Sequence, residues 1–244
     1  MIKGINIADF TQNLPGPYAT LRLADLGAEV IKIEPPTGDH ARYPLEKDQK
    51  ENYLFRSMNR NKKSLALNLK NEEDKEFALE IIRKSDILIE SYRPGVMERL
   101  GLGYEDIRAI HPTIIYCSLS GYGQEGSMHQ LGSHDLNYMA LSGVLAQLKD
   151  DTGKPIQPTI TFADLIGGTS ATEAILAALF NRERSGNGSY LDLALLDTTA
   201  VFMNYHVFIE AASGRNHGIE SLNGDVISYS IYETKDSRYM ALCA

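Results

Sequence analysis

Two short segments carry residue types that together could serve as a proton-transfer pair. His134-Asp135-Leu-Asn-Tyr138 opens one Ala/Leu-rich helical pattern, and Thr-Phe-Ala-Asp164-Leu-Ile-Gly-Gly opens another. An imidazole titrates near neutrality without help, and burial can bring a carboxyl into the same range. Placed ahead of helices, where backbone N–H dipoles favour an anion, the two side chains read as an acid/base pair. Each also has an ordinary role when taken alone. Asp164 would be a helix N-cap, with Ser170-Ala-Thr-Glu173 as a further capping box, and His134 a loop histidine.

Other patterns point elsewhere and are set aside on context. Gly121-Tyr-Gly123-Gln-Glu-Gly126 fits G-x-G-x-x-G and follows a strand pattern, but Ser127-Met-His-Gln-Leu-Gly-Ser has no helical period, so a glycine-rich loop is expected. Ser133, His134 and Asp135 are the residue types of a hydrolase triad, yet adjacent side chains cannot line up as nucleophile, base and orienter. His40, His111, His129, His206 and His217 are scattered without metal-ligand spacing, so surface or satisfied positions are expected and no metal is called for.

The elements that must position the pair alternate between two periods. Ile5–Phe10, Glu29–Ile33, Ser64–Leu69, Asp86–Glu90 and Thr113–Ser118 read as strands. Helical patterns over Pro17–Leu26, Asn71–Lys84 and Tyr104–Ile110 connect them, and Asn71 followed by Glu-Glu-Asp is a cap with an acidic first turn. After residue 134 helix dominates, over Asp135–Leu148, Leu165–Arg184 and Asp197–Ala212, with one strand at Tyr190–Ala194. The chain closes on a hairpin pattern, Ser228–Tyr232 and Arg238–Ala244. The expected fold is α/β: a Rossmann-like, mostly parallel sheet with helices on both faces, spanning 1–220, and the start of a small α+β domain over 221–244.

Composition limits the partners. With 244 residues, 43% of them hydrophobic, the chain can bury a full core. Thirty-two acidic against 24 basic residues leave a formal charge of −8, which argues against nucleic acid and an anionic membrane as partners. An anionic ligand would need a local basic pocket. Cys117 and Cys243 match no disulfide or metal pattern, and no leader or spanning segment is apparent, so a reducing cytoplasm is the expected location.

Three longer strings carry a resemblance: Leu14-Pro-Gly-Pro17 through Glu34, Asn59-Arg-Asn-Lys-Lys-Ser-Leu65, and Ser91-Tyr-Arg93-Pro-Gly-Val-Met-Glu-Arg99-Leu-Gly-Leu-Gly103. With them the chain resembles the class III CoA-transferase family, which contains both CoA-transferases and α-methylacyl-CoA racemases. The resemblance implies an acyl-CoA substrate, no cofactor beyond its CoA moiety, and a homodimer of interlocked chains. It implies that Asp164 is the nucleophile of transferases or one acid/base group of racemases. The His134–Gly143 stretch is similar to the racemase version, which makes His134 and Asp164 the catalytic pair of an enzyme inverting 2-methylacyl-CoA thioesters by 1,1-proton transfer. Backbone N–H groups near Asp135 would stabilise the enolate oxygen. CoA would meet Arg93 and Arg99 at its phosphates and Leu67 and Tyr92 at adenine or pantetheine, with Ser91 and Tyr138 also in contact. Two departures are visible. Pro35 stands where many members have a phosphate-binding arginine, for which Arg42 would substitute. Family chains also run on, racemases with a glutamate that supports the histidine, so this chain is expected to be a truncated member. A CoA-transferase and a noncatalytic CoA-binding or dimerising fragment are the alternatives.

Overall fold

The run Ile87-Leu-Ile-Glu90 has no polar face before its last residue, and a strand of that kind has to be covered on both sides. A computed structural model, which describes residues 1–43, 52–150, 152–214, 219 and 226–243, places it at the centre of a sheet. The chain divides into two compact units, Met1–Thr199 and Ala200–Ala244. The boundary expected from sequence at 220/221 falls inside the second.

In the first unit six strands run parallel: β1 (Asn6–Phe10), β2 (Glu29–Glu34), β3 (Lys62–Ala66), β4 (Ile87–Glu90), β5 (Ile115–Ser120) and β6 (Ser189–Ala194), in the spatial order β3-β2-β1-β4-β5-β6. The connecting helices are α1 (Pro15–Asp25), α2 (Tyr53–Asn59), α3 (Glu72–Arg83), α4 (Val96–Arg99), α5 (Tyr104–Ile110), α6 (Asp135–Leu141) and α7 (Phe162–Ser185), and α8 (Leu195–Ala200) follows the last strand. They cover both faces. Ile87 and Ile89 of β4 join Ala19 and Leu23 of α1 and Ala171 and Ile175 of α7 in one core. Leu88 points the other way, into a second core with Ala78 and Ile82 of α3 and Ile107 of α5.

The strand order reverses between β1 and β4, so the crevice beyond their carboxyl ends is where such a sheet binds ligands. The loop after β1 is set by two glycines. Gly168 lets α7 pass close to α1: a Cβ there would lie 2.5 Å from the Pro15 carbonyl oxygen and 2.9 Å from the Tyr18 ring. Backbone cannot retreat cheaply, and overpacking typically costs 1–3 kcal/mol, more than the roughly 1 kcal/mol of helix propensity that alanine would add. Gly168→Ala is therefore expected to lower the stability of the chain by about 1–2 kcal/mol in urea unfolding; a raised midpoint would show that the crossing has slack. Gly16 plays the matching part inside α1, where a Cβ would meet the Thr11 side chain at 2.4 Å.

Among the described residues α7 is the helix long and apolar enough, at 24 residues, to cross a membrane. Here Ala163, Ala171 and Ile175 place it in the core. The second unit holds a short 3₁₀ turn (Val201–Met203), α9 (Asn204–Ser213) and an antiparallel hairpin of β7 (Tyr229–Glu233) and β8 (Tyr239–Cys243).

Three helices differ most from the sequence expectation. The helix expected to reach Leu148 stops at Leu141, because Gly143 takes a left-handed φ of 87° and a 3₁₀ turn follows. The helix expected over 197–212 is instead three pieces, α8, the 3₁₀ turn and α9. And α7 begins at Phe162, three residues before the expected Leu165, which puts Asp164 inside its first turn.

Candidate active site

One cavity of about 480 Å³ opens at the switch point. Gln12, Asn13 and Pro15 from the end of β1 form one wall and Ser91 to Pro94 from the end of β4 the next. The last residue of β5, Ser120, and Gly121 after it add a further wall, the loop before α6 adds His129 and Leu131 to His134, and Tyr138 and Asp164 close it.

The two strand-end loops are stitched together. The Gln12 N–H donates to Ser91 Oγ at 2.9 Å and its side-chain amide reaches the Tyr92 hydroxyl at 3.5 Å. Behind Gln12 lies a buried charge network. Lys32 Nζ donates to the Thr11 carbonyl at 2.6 Å and pairs with Asp39 at 2.9 Å. Asp39 in turn accepts from the Asn13 N–H at 3.1 Å, holding that residue at a left-handed φ of 66°. Alongside, Lys62 pairs with Asp9 at 3.3 Å. Burial pushes the Asp9 carboxyl up, but the ammonium groups of Lys62 and Lys32 and the hydroxyls of Thr11 and Thr20 outweigh it and leave it below the usual carboxylate range. The turn carrying Tyr92 and Arg93 rests on Glu90, which accepts the Tyr92 N–H at 2.8 Å. Burial raises that carboxyl to about 7.

His134 is the N-cap residue of α6, fixed by its own N–H donating to Asn137 Oδ1 at 3.2 Å. Ser133 before it is tied twice, its carbonyl accepting from the Tyr138 hydroxyl at 3.0 Å and its hydroxyl meeting Tyr122 at 2.6 Å. Asp164 comes from the first turn of α7. Burial, with the charge of Asp135 adding to it, raises its carboxyl from 3.8 to about 7. Asp135 accepts the Asp164 N–H at 3.0 Å and lines a separate cavity with Leu136 and Gln157–Thr161.

Of the residues singled out in the sequence, six therefore border one cavity: His134, Asp164, Ser91, Tyr92, Arg93 and Tyr138. Four do not. Arg42 gives both Nε and Nη2 to Glu34, each at 2.6 Å, and its guanidinium stacks 3.8 Å over the Phe55 ring. Leu67 is buried in the second core, Arg99 lies at the end of α4 beside Gly95, and Asp135 faces α7. Gln12, Asn13 and His129 went unnoticed in the sequence as site residues. The signal for the first two was their place just past β1, the strand at which the sheet order turns. His111 is satisfied by Ser85, its Nε2 lying 2.9 Å from that carbonyl oxygen, whereas His217 lies outside the described residues.

The family model for CoA-transferase family III matches residues 2–244. The chain belongs to CoA-transferase family III. Members of family III are enzymes acting on acyl-CoA. A Mus musculus relative, succinyl-CoA:glutarate CoA-transferase, is 39% identical over 242 residues, covering 96% of this chain and 55% of its own length. Alpha-methylacyl-CoA racemase from Homo sapiens is 34% identical over 250 residues, covering 100% of this chain and 61% of its own. A solved structure, that of a CAIB/BAIF family protein from Brucella suis, superposes with a TM-score of 0.90 at 28% identity, covering 99% of this chain and 65% of that one. The chain thus spans between about half and two-thirds of the length of the relatives it matches.

Proposed function

We propose that this chain carries the CoA-binding and proton-transfer part of an enzyme that inverts the α-carbon of 2-methyl-branched acyl-CoA thioesters. The observation that carries the reading is that His134 and Asp164, brought by the N-terminal ends of two different helices, border the same cavity. One group takes the α-proton, the bonding pair moves onto the thioester oxygen as an enolate, and the other group returns a proton to the opposite face. A carboxyl titrating at about 7 suits that exchange, since an acid/base group works best near the operating pH. The same reading includes a homodimer and a reducing compartment, in which Cys117 and Cys243 stay thiols.

The second reading is a CoA-transferase with Asp164 as nucleophile. Relatives bearing transferase names stand at 39% and 37% identity, and they favour it. Against it stands the raised proton affinity of Asp164, because a carboxylate has to be ionised to attack a thioester. In deuterated water, the protein as its gene encodes it is expected to place deuterium at the α-carbon of a 2-methylacyl-CoA, followed by NMR, without any acceptor acid. No incorporation, together with ready movement of CoA to an added carboxylic acid, would replace the first reading by the second.

Arg93 is the cationic side chain bordering the cavity, and it packs against Gly132, where a Cβ would lie 2.5 Å from Nη2. If it meets a CoA phosphate, Arg93→Ala should weaken CoA binding by about 1.5–3 kcal/mol in calorimetry. Arg99→Ala, away from the cavity, should change it little. The reverse pattern would move the phosphates to α4.

A further inference from the structure

We propose that the Asp135 side chain is a positioning residue, which caps the N-terminus of α7 from the neighbouring helix and holds Asp164 in register with His134. The proposal rests on the reading of His134 and Asp164 as an acid/base pair.

A helix start leaves N–H groups without partners inside the helix, and its own N-cap side chain usually takes one of them. In α7 the N-cap is Thr161, which makes no side-chain cap bond. The acceptor comes from outside. Asp135 Oδ1 takes the Asp164 N–H at 3.0 Å, and the backbone N–H of Ala163 favours the ionised form of the same carboxyl. Asp135 is the residue after His134, so the two reactive side chains are joined through one peptide bond and one hydrogen bond. Among the described residues no other side-chain hydrogen bond joins α6 to α7.

The cap has an electrostatic consequence. A carboxylate in the first turn of a helix is ordinarily stabilised by the free amides and the dipole, which lowers its proton affinity. Here those amides are engaged by Asp135, whose own negative charge faces Asp164. Burial leads and Asp135 follows in raising the Asp164 carboxyl to about 7. Among the described residues the other ionisable groups around it are few. Across the cavity they are Arg93 and His129. From α6 they are His134 and Tyr138, the latter donating to the Ser133 carbonyl. From α1 they are Tyr18, whose ring lies against Gly168, and Arg22, which donates to the Tyr18 hydroxyl at 3.3 Å. From α8, Leu195 and Thr198 face Gly167 and carry no charge.

Asp135→Asn keeps an acceptor oxygen and removes the charge, so it separates positioning from folding. With selectively ¹³C-labelled aspartate, the Asp164 carboxyl in Asp135→Asn is expected to titrate on the order of one pH unit lower than in the unsubstituted protein. The pH profile of α-proton exchange should move with it, while KM for the acyl-CoA changes little. An unmoved Asp164 midpoint in folded Asp135→Asn overturns the proposal. If that variant does not fold, the unsubstituted protein still decides: the amide signals of Ala163 and Asp164 must shift as Asp135 titrates, and amides that ignore it overturn the proposal equally. A shifted Asp164 midpoint in a protein that exchanges no α-proton upholds the positioning role and sinks the racemase reading alone.

Discussion

His134→Ala and Asp164→Asn are each expected to slow inversion of a 2-methylacyl-CoA by roughly 100- to 10,000-fold in kcat, the range for losing one positioned acid or base. The symmetry is the point. Inversion takes a proton from one face of the α-carbon and returns one to the other, so loss of either group leaves one of two transfers uncatalysed. The position of each residue makes a folding explanation weak: His134 is exposed at the cavity, and Asp164→Asn keeps the shape of a side chain whose proton affinity burial already raises. The two readings of this site then part. A transferase that attacks with Asp164 would be crippled by Asp164→Asn and would tolerate His134→Ala. Racemisation followed by chiral chromatography, beside CoA transfer to an added acid, decides the matter. An undiminished rate in His134→Ala would remove the imidazole from the mechanism.

The alternation of periods made the sheet legible, and Tyr104–Ile110 is found as read from sequence. What stayed hidden has physical reasons. The helix α2 carries no buried residue and so shows no apolar stripe to read. In Glu29-Val-Ile-Lys-Ile-Glu34 the lysine looks like the solvent face of a half-buried strand, yet β2 puts Val30 into one core and Ile33 into the other, and Lys32 is 1% exposed. Pro35 leaves a phosphate-binding duty vacant for which Arg42 is the sequence's substitute, but sequence cannot show that Glu34 is close enough to take two of its donors. His134 and Asp164 could be picked out because their surroundings repeat a helix-start pattern twice. Gln12 and Asn13 could not, since an amide in a loop says nothing until the strand order is known. Nor could the link between Asp135 and α7, which spans 29 residues of chain.

The buried lysine leads to the other large effect. Lys32→Met is expected to cost about 3–5 kcal/mol of stability, the range for removing one partner of a buried ion pair. Lys32 is 1% exposed and Asp39 not at all, so no water can take over the role of the lost ammonium. Asp39 would keep the N–H groups of Asn13 and Ala41 on one oxygen and lose its cation from the other. The Thr11 carbonyl would lose its 2.6 Å donor at the same time, and Thr11 begins the loop that carries Gln12 and Asn13 to the cavity. The damage should therefore extend from the core to the site, with acyl-CoA binding weakened in whatever fraction stays folded. Asp39→Asn in the same chain removes the stranded charge while keeping an acceptor oxygen, so the double variant should recover a large part of the loss; pairs in direct contact are expected to couple in this way. Urea unfolding of the four chains measures it. A cost below about 1 kcal/mol for Lys32→Met, or a double variant no better than the single, would mean that the pair contributes little and that the loop after β1 is held by the Gln12–Ser91 and Gln12–Tyr92 bonds instead.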